Sequence, residues 1–282
     1  MLMEHFDLAF ISLYVFWLFF AGLLFYLRRE DRREGYPLEL DTAGTYKDHG
    51  LMWIPKAKTF NLHGGVVKLA PSGMADNRPV VGQPIETWPG APIEPTGPNP
   101  MLDGIGPSSY AMRADVPDMS MHNQPKIMPL RVLKDFAVHE RDPNIIGYPV
   151  IGSDWEVAGR VVDLWVDRGE ALIRYLEVEV PLASKEPDTA VSELSAGADE
   201  LLSSDAPGDT KTTRRVLFPM PLATINRRAR RVEVTCVLGE QFQHAPATRS
   251  SDRVTMLEEE KISAYFASGY LYSRPHKREP LL

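Results

Sequence analysis

From Leu8 to Leu27 the sequence carries no charged side chain, LAFISLYVFWLFFAGLLFYL, and that run constrains the chain more than any other feature. Its twenty residues, at about 1.5 Å of helical rise each, span about 30 Å, the thickness of a bilayer's hydrocarbon core. A secretory signal would start basic, hold a shorter apolar run and end in a small-residue cleavage site. Here Glu4 and Asp7 precede the run, and bulky residues lead into Arg28 and Arg29. The reading is a retained transmembrane anchor, not a helix buried in a soluble core. Arg28, Arg29, Arg32 and Arg33 follow the run and no Lys or Arg precedes it. The positive-inside rule therefore predicts a periplasmic N-terminus and a cytoplasmic C-terminal mass. Tyr14 and Trp17 sit mid-span, where their polar atoms are costly against lipid, so one helix face is expected to pack on other transmembrane helices.

The remainder reads as a packed, β-rich domain. Net charge is −7, which disfavours a nucleic-acid partner because no counterion release would drive binding. Cys236 is the only cysteine, so an internal disulfide is excluded, and its neighbours Val234, Val237 and Leu238 predict a buried thiol. From Pro71 to Pro117 there are ten prolines, which forbid a helix or central strand. The stretch also keeps Ile85, Trp88, Ile93, Met101, Leu102 and Ile105, more apolar surface than a solvated linker carries, and so predicts an extended arm lying on a surface.

Val157–Val166 is rich in β-branched and aromatic residues. Asp167-Arg168-Gly169-Glu170 then reads as a turn, and Leu172–Val180 as a second strand with alternating faces. Ser184–Thr210 holds seven acidic residues and one lysine, a surface loop. Strands are expected again at Arg215–Leu217, Ala223–Ile225 and Arg231–Leu238. Arg227, Arg228, Arg230 and Arg231 fall at the turn between the last two, either meeting anionic lipid or an acidic partner surface, or simply solvated. Thr255-Met256-Leu257-Glu258 fits a capping box, and Leu257, Ile262, Tyr265 and Phe266 form one face of a C-terminal helix ending near Gly269. The domains so read are 1–34 (N-terminus and transmembrane helix), 35–117 (extended arm), 118–270 (β domain with its helix, carrying the 184–210 loop) and 271–282 (tail).

No phosphate loop, paired cysteines, HExxH or GxSxG occurs, and no two of the seven histidines stand at helical ligand spacing. The chain is expected to bind no metal or cofactor and to be an accessory subunit rather than an enzyme. A membrane-tethered RNA- or ribosome-binding module and a membrane-anchored enzyme are the alternatives; the charge weighs against the first and no motif speaks for the second.

Several stretches resemble one family, the H subunit of the photosynthetic reaction centre of purple bacteria. They are FDLAFISLYVFWLFFAGLLFYL and REGYPLE at the helix and its exit, then PKAKTF at Pro55–Phe60 and DGIGPSSY at Asp103–Tyr110. AGRVVDLWVD with RYLEVEV follows within Ala158–Val180, and LEEEKISAYFASG at Leu257–Gly269. The resemblance implies one transmembrane helix, an extended arm and a cytoplasmic PRC-type β-barrel with a short C-terminal helix. It implies a subunit of a photosynthetic inner membrane that binds no pigment and caps the L and M subunits. Those partners would hold bacteriochlorophyll, bacteriopheophytin, quinones, non-haem iron and carotenoid, with a light-harvesting antenna ring as a further neighbour.

It also implies part of the proton path to the secondary quinone. The family's aspartate and glutamate at the strand turn match Asp167 and Glu170, and a companion arginine matches Arg174. The first of two histidines at the surface where protons are taken up matches His122. The second histidine's position holds Gln124, a nearby aspartate's holds Ser120, and an acidic position before the C-terminal helix holds Arg253, all departures from the pattern. Independently of the family, two carboxylates across one turn repel, which predicts a raised proton affinity for at least one of them.

Overall fold

The computed structural model describes residues 7–36, 38–40, 44–46, 53–62, 65–72, 76–182 and 213–274. The acidic 184–210 loop and all of the tail after residue 274 lie outside the described residues. The chain divides into two compact units, residues 1–79 with 84–92 and residues 80–83 with 93–282.

In the first unit, helix α1 covers Leu8–Glu30 and starts where the Asp7 carboxylate accepts the Ala9 amide at 3.1 Å. Its described residues are all unburied within the chain, although an 18-residue window reaches a mean hydropathy of 2.3. A helix apolar on every side needs an apolar surround, and only this described helix is long and apolar enough to cross a membrane. Two small antiparallel pairs follow, β1 (Leu38–Leu40) with β2 (Gly44–Tyr46) and β3 (Lys58–Asn61) with β4 (Val67–Ala70). Arg33 ties the helix exit to the second pair by donating to the carbonyls of Lys56 (2.7 Å) and Ala70 (2.9 Å).

Proline dominates the next stretch, where only β5 (Gly82–Pro84) pairs with β6 (Ile93–Pro95) among the described residues. The main sheet comprises β7 (Ile127–Pro129), β8 (Pro149–Ile151), β9 (Val157–Asp167), β10 (Leu172–Pro181), β11 (Thr213–Pro219), β12 (Ala223–Asn226) and β13 (Arg231–Val234). Their order is β11-β10-β9-β8-β13-β12, with β7 beside the end of β9. All contacts are antiparallel except β8 with β13. The predicted hairpin is β9–β10, the two longest strands.

The alternation expected along β10 is not observed, because Tyr175, Leu176, Glu177 and Val178 are all buried. Helix α2 (Met256–Tyr272) packs toward Tyr175, and arginines neutralise Glu177, so both faces are covered. The last strand stops at Val234 rather than Leu238, since the Val237 carbonyl turns to accept the Ser153 amide at 2.9 Å. Helix α2 runs past Gly269, where a Cβ would lie 2.5 Å from both the Cys236 carbonyl and Val237. That glycine marks a close approach, not a stop. The Cys236 thiol is buried there, as its neighbours predict.

The core centres on Phe218, Phe242 and Phe266, with Phe218 and Phe266 edge-to-face at 4.8 Å. The capping box forms: Thr255 Oγ1 accepts the Glu258 amide at 3.1 Å. The Glu258 carboxylate accepts the Thr255 and Arg249 amides, both at 2.8 Å. Glu258 is buried, so Glu258→Ala strands two amides, each worth about 1–3 kcal/mol when unsatisfied. We expect thermal unfolding of the detergent-solubilised chain to fall by several degrees, with Glu258→Gln losing less; equal melting of the alanine variant and the parent would refute this.

Candidate functional site

Asp167 ends β9 and Glu170 lies in the following turn, which Ala171 closes with φ 53°. The Asp167 carboxylate is 1% exposed, an ordinarily costly place for a charge. Its Oδ1 accepts the amides of Gly169 (2.9 Å) and Glu170 (3.2 Å), the local bonding an aspartate offers at a turn. Its Oδ2 faces two cations, Lys126 Nζ at 3.3 Å and Arg174 Nε at 3.4 Å. Glu170, half-exposed, meets the same two: Arg174 Nη2 at 2.9 Å and Lys126 Nζ at 3.8 Å.

Arg174 reaches both carboxylates because β10 bulges there. Ile173 faces Val166 and Tyr175 faces Trp165, leaving Arg174 as the extra residue. A bulge bends its strand and re-aims a side chain. Lys126 arrives from a second small hairpin, in which its amide donates to the Asp118 carbonyl and its carbonyl accepts the Arg168 amide.

The structure thus brings Asp167, Glu170 and Arg174 together, and adds Lys126, which sequence reasoning missed. His122 is not part of this cluster. It stands exposed on the tip of the small hairpin, where the Ser120 amide donates to the Gln124 carbonyl at 2.8 Å and Asn123 takes φ 56°. Ser120 and Gln124, the residues at the family's acidic and second histidine positions, here close that tip. Arg253 is exposed and pairs with Asp252 at 3.7 Å.

Repulsion between Asp167 and Glu170 was expected to raise a proton affinity, and at Asp167 the opposite holds. Burial pushes its affinity up, but the Glu170 and Gly169 amides and Lys126 outweigh that and hold it below its ordinary value. Lys126 and Arg174 thus face both carboxylates, and Asp167 rests ionised. A raised affinity appears elsewhere, at Glu259 on the first turn of α2. Burial is the main cause, opposed by the Tyr175 hydroxyl, which donates to Glu259 Oε2 at 2.9 Å.

Because Glu259 binds its proton more tightly folded than unfolded, stability declines as pH rises from the unfolded carboxyl pKa through the folded one. Glu259→Gln should remove that decline and raise the melting temperature at neutral pH. Melting curves between about pH 4 and about pH 8 would decide, and parallel profiles for variant and parent would reject it.

Elsewhere, the basic turn is largely engaged within the chain. Arg227 pairs with Asp142 at 3.8 Å, Arg230 lies over Tyr148, and Arg231 lies over Trp155 while pairing with Glu233. Among the described residues no three His, Cys, Asp or Glu side chains are grouped as a metal site.

A seven-stranded sheet wrapped with one C-terminal helix, on a chain whose first helix can cross a membrane, defines a membrane-anchored PRC-barrel protein: the PRC-barrel domain family matches residues 138–237. The photosynthetic reaction centre H-chain N-terminal region matches residues 1–132. Matched over both stretches, the chain belongs to the family of photosynthetic reaction-centre H chains, and it is a single-pass membrane subunit of that complex. Lys126 and His122 fall within the first match, and Asp167, Glu170 and Arg174 within the second; Glu259 lies beyond both.

Proposed function

We propose that the chain caps the cytoplasmic side of the L and M subunits and carries part of the proton path to the secondary quinone. The observation that carries this reading is the pair Asp167–Glu170, one carboxylate buried and one half-exposed, bridged by Lys126 and Arg174. Glu170 can take a proton from solvent; Asp167, behind it, can pass one inward without holding it, since its surroundings favour the ionised form. The cations bridge the two carboxylates and set their geometry. Bacteriochlorophyll, bacteriopheophytin, quinones, non-haem iron and carotenoid belong to the partner subunits in this reading, and this chain contributes protons and shielding, with no enzymatic step of its own. Arg28 and Arg29 in the last turn of α1, with Arg32 and Arg33 just after it, support an N-terminus in the periplasm and a barrel in the cytoplasm. The antenna ring and anionic lipids are its outer neighbours.

Glu170→Gln keeps the shape of the turn and removes the proton acceptor. In the intact complex we expect the proton-coupled second reduction of the secondary quinone, followed after paired flashes, to slow while the first electron transfer is unchanged. Kinetics identical to the parent across pH would reject the path.

A further inference from the structure

We propose that the β3–β4 hairpin is a second membrane contact of this chain, binding anionic lipid headgroups of the leaflet at the C-terminal end of α1 through Lys56, Lys58 and Lys68. The inference depends on α1 crossing a bilayer and not on the proton path.

The uncharged run ends at Leu27, so Arg28 marks the edge of the hydrocarbon core. Arg33 lies five residues further on, about 8 Å along a helical axis, which falls at the depth of the headgroup layer. Its Nη1 donates to the Lys56 carbonyl at 2.7 Å and to the Ala70 carbonyl at 2.9 Å, one at each root of the hairpin. Glu30, at the end of α1, holds the same guanidinium at 2.8 Å. Trp53, on the approach to β3, marks the same level. Its ring stands edge-on to Phe25 of α1 at 6.5 Å and is otherwise well exposed, and an indole favours the boundary between tails and headgroups.

A lone two-stranded hairpin is marginally stable in water. This one leaves Phe60, Leu62, Val66, Val67 and Leu69 between 40% and 59% exposed. The register sets Phe60 opposite Lys68, and Lys58, on the same face, lies over the Phe60 ring at 5.5 Å. One face therefore carries an aromatic ring between two ammonium groups. Lysine stems of this kind lie along apolar surface while their heads reach out to phosphate. Among the described residues no carboxylate pairs with Lys56, Lys58 or Lys68. Their counter-charge must come from outside the chain, and at this depth a bilayer presents phosphate. Each such lysine is worth about a fivefold gain in binding to an anionic leaflet. An apolar protein surface would cover Phe60 and Leu69 equally well but would leave the three lysines without an anion.

The test uses the full-length chain in nanodiscs with a spin label at Leu62→Cys, the native Cys236 being buried. Bilayers of phosphatidylcholine with phosphatidylglycerol are compared with phosphatidylcholine alone. In the mixed bilayer the label is expected to be open to oxygen and shielded from an aqueous nickel chelate. Lys56→Gln, Lys58→Gln and Lys68→Gln are each expected to lower the ratio of docked to free label about fivefold there, and to leave it unchanged in the neutral bilayer. A ratio that ignores both the triple lysine variant and the loss of phosphatidylglycerol overturns headgroup binding. A label equally open to the nickel chelate in both bilayers overturns the membrane contact altogether. Immersion that appears only after reassembly with the integral partner subunits, whatever the lipid charge, assigns the hairpin to a protein surface and overturns the proposal as well.

Discussion

Arg131→Ala is expected to destabilise the barrel by about 3–5 kcal/mol, the cost of removing one partner from a buried ionic network. The reason lies in the register of β9 and β10, which sets Asp163 directly opposite Glu177. Like charges facing each other across strands repel, and these two carboxylates are only 7% and 4% exposed. Arg131 Nη1 bonds both, at 2.7 Å to Asp163 and in close contact with Glu177, while its Nη2 reaches the Ser251 carbonyl. Trp165 Nε1 donates to Glu177 at 2.9 Å, and Arg215 covers the other oxygen at 3.2 Å. No remaining donor can replace Arg131 between the two acids. Thermal or urea unfolding of the detergent-solubilised chain should show a melting temperature lower by about 10 °C. The triple variant Arg131→Met, Asp163→Asn, Glu177→Gln, which removes the charges together, should recover most of that loss. A single variant that melts with the parent would show the network to be incidental.

That network marks where reading the sequence stops short. The β9–β10 hairpin was legible because β-branched and aromatic runs flank a four-residue Asp-Arg-Gly-Glu turn, and the α2 start because Thr255 and Glu258 stand at capping-box spacing. Both signals are local. The burial of Glu177 is not local: it depends on Arg131, which follows β7, and Arg215 in β11. Lys126 gave no signal either, since a lysine before a short proline-flanked strand resembles any surface lysine until the hairpin folds it against Asp167. The bulge that aims Arg174 breaks the very periodicity by which strands are read. Glu259 sits in a run of three glutamates, and only the packing of α2 on Tyr175 separates it from its neighbours. At Asp167 the affinity runs below the ordinary value because the Glu170 and Gly169 amides, with Lys126, stabilise the carboxylate, and a charge balance drawn from two acids and one arginine contained none of the three. His122 was legible as a residue of the pattern, while its place on the exposed tip of the small hairpin required the fold.

Removing both carboxylates of the pair should have the largest functional effect. In Asp167→Asn/Glu170→Gln the turn keeps its hydrogen-bonding shape, since the asparagine oxygen can still accept the Gly169 and Glu170 amides. Lys126 and Arg174 then lose both counter-charges, and two uncompensated cations repel an arriving proton where two carboxylates had drawn it. A positioned acid–base group contributes about 10²–10⁴-fold to a rate. The double variant should therefore slow proton-coupled second reduction of the secondary quinone at least about 100-fold, more than Glu170→Gln alone. Lys126→Met in the same complex supplies the electrostatic control. With one cation gone, the carboxylates hold protons more tightly, and the pH profile of the reaction should move upward without a comparable loss of maximal rate. The pair's role would be sunk if the double variant ran within a few-fold of the parent. A Lys126→Met profile that stayed in place would instead locate the limiting proton transfer at some other group.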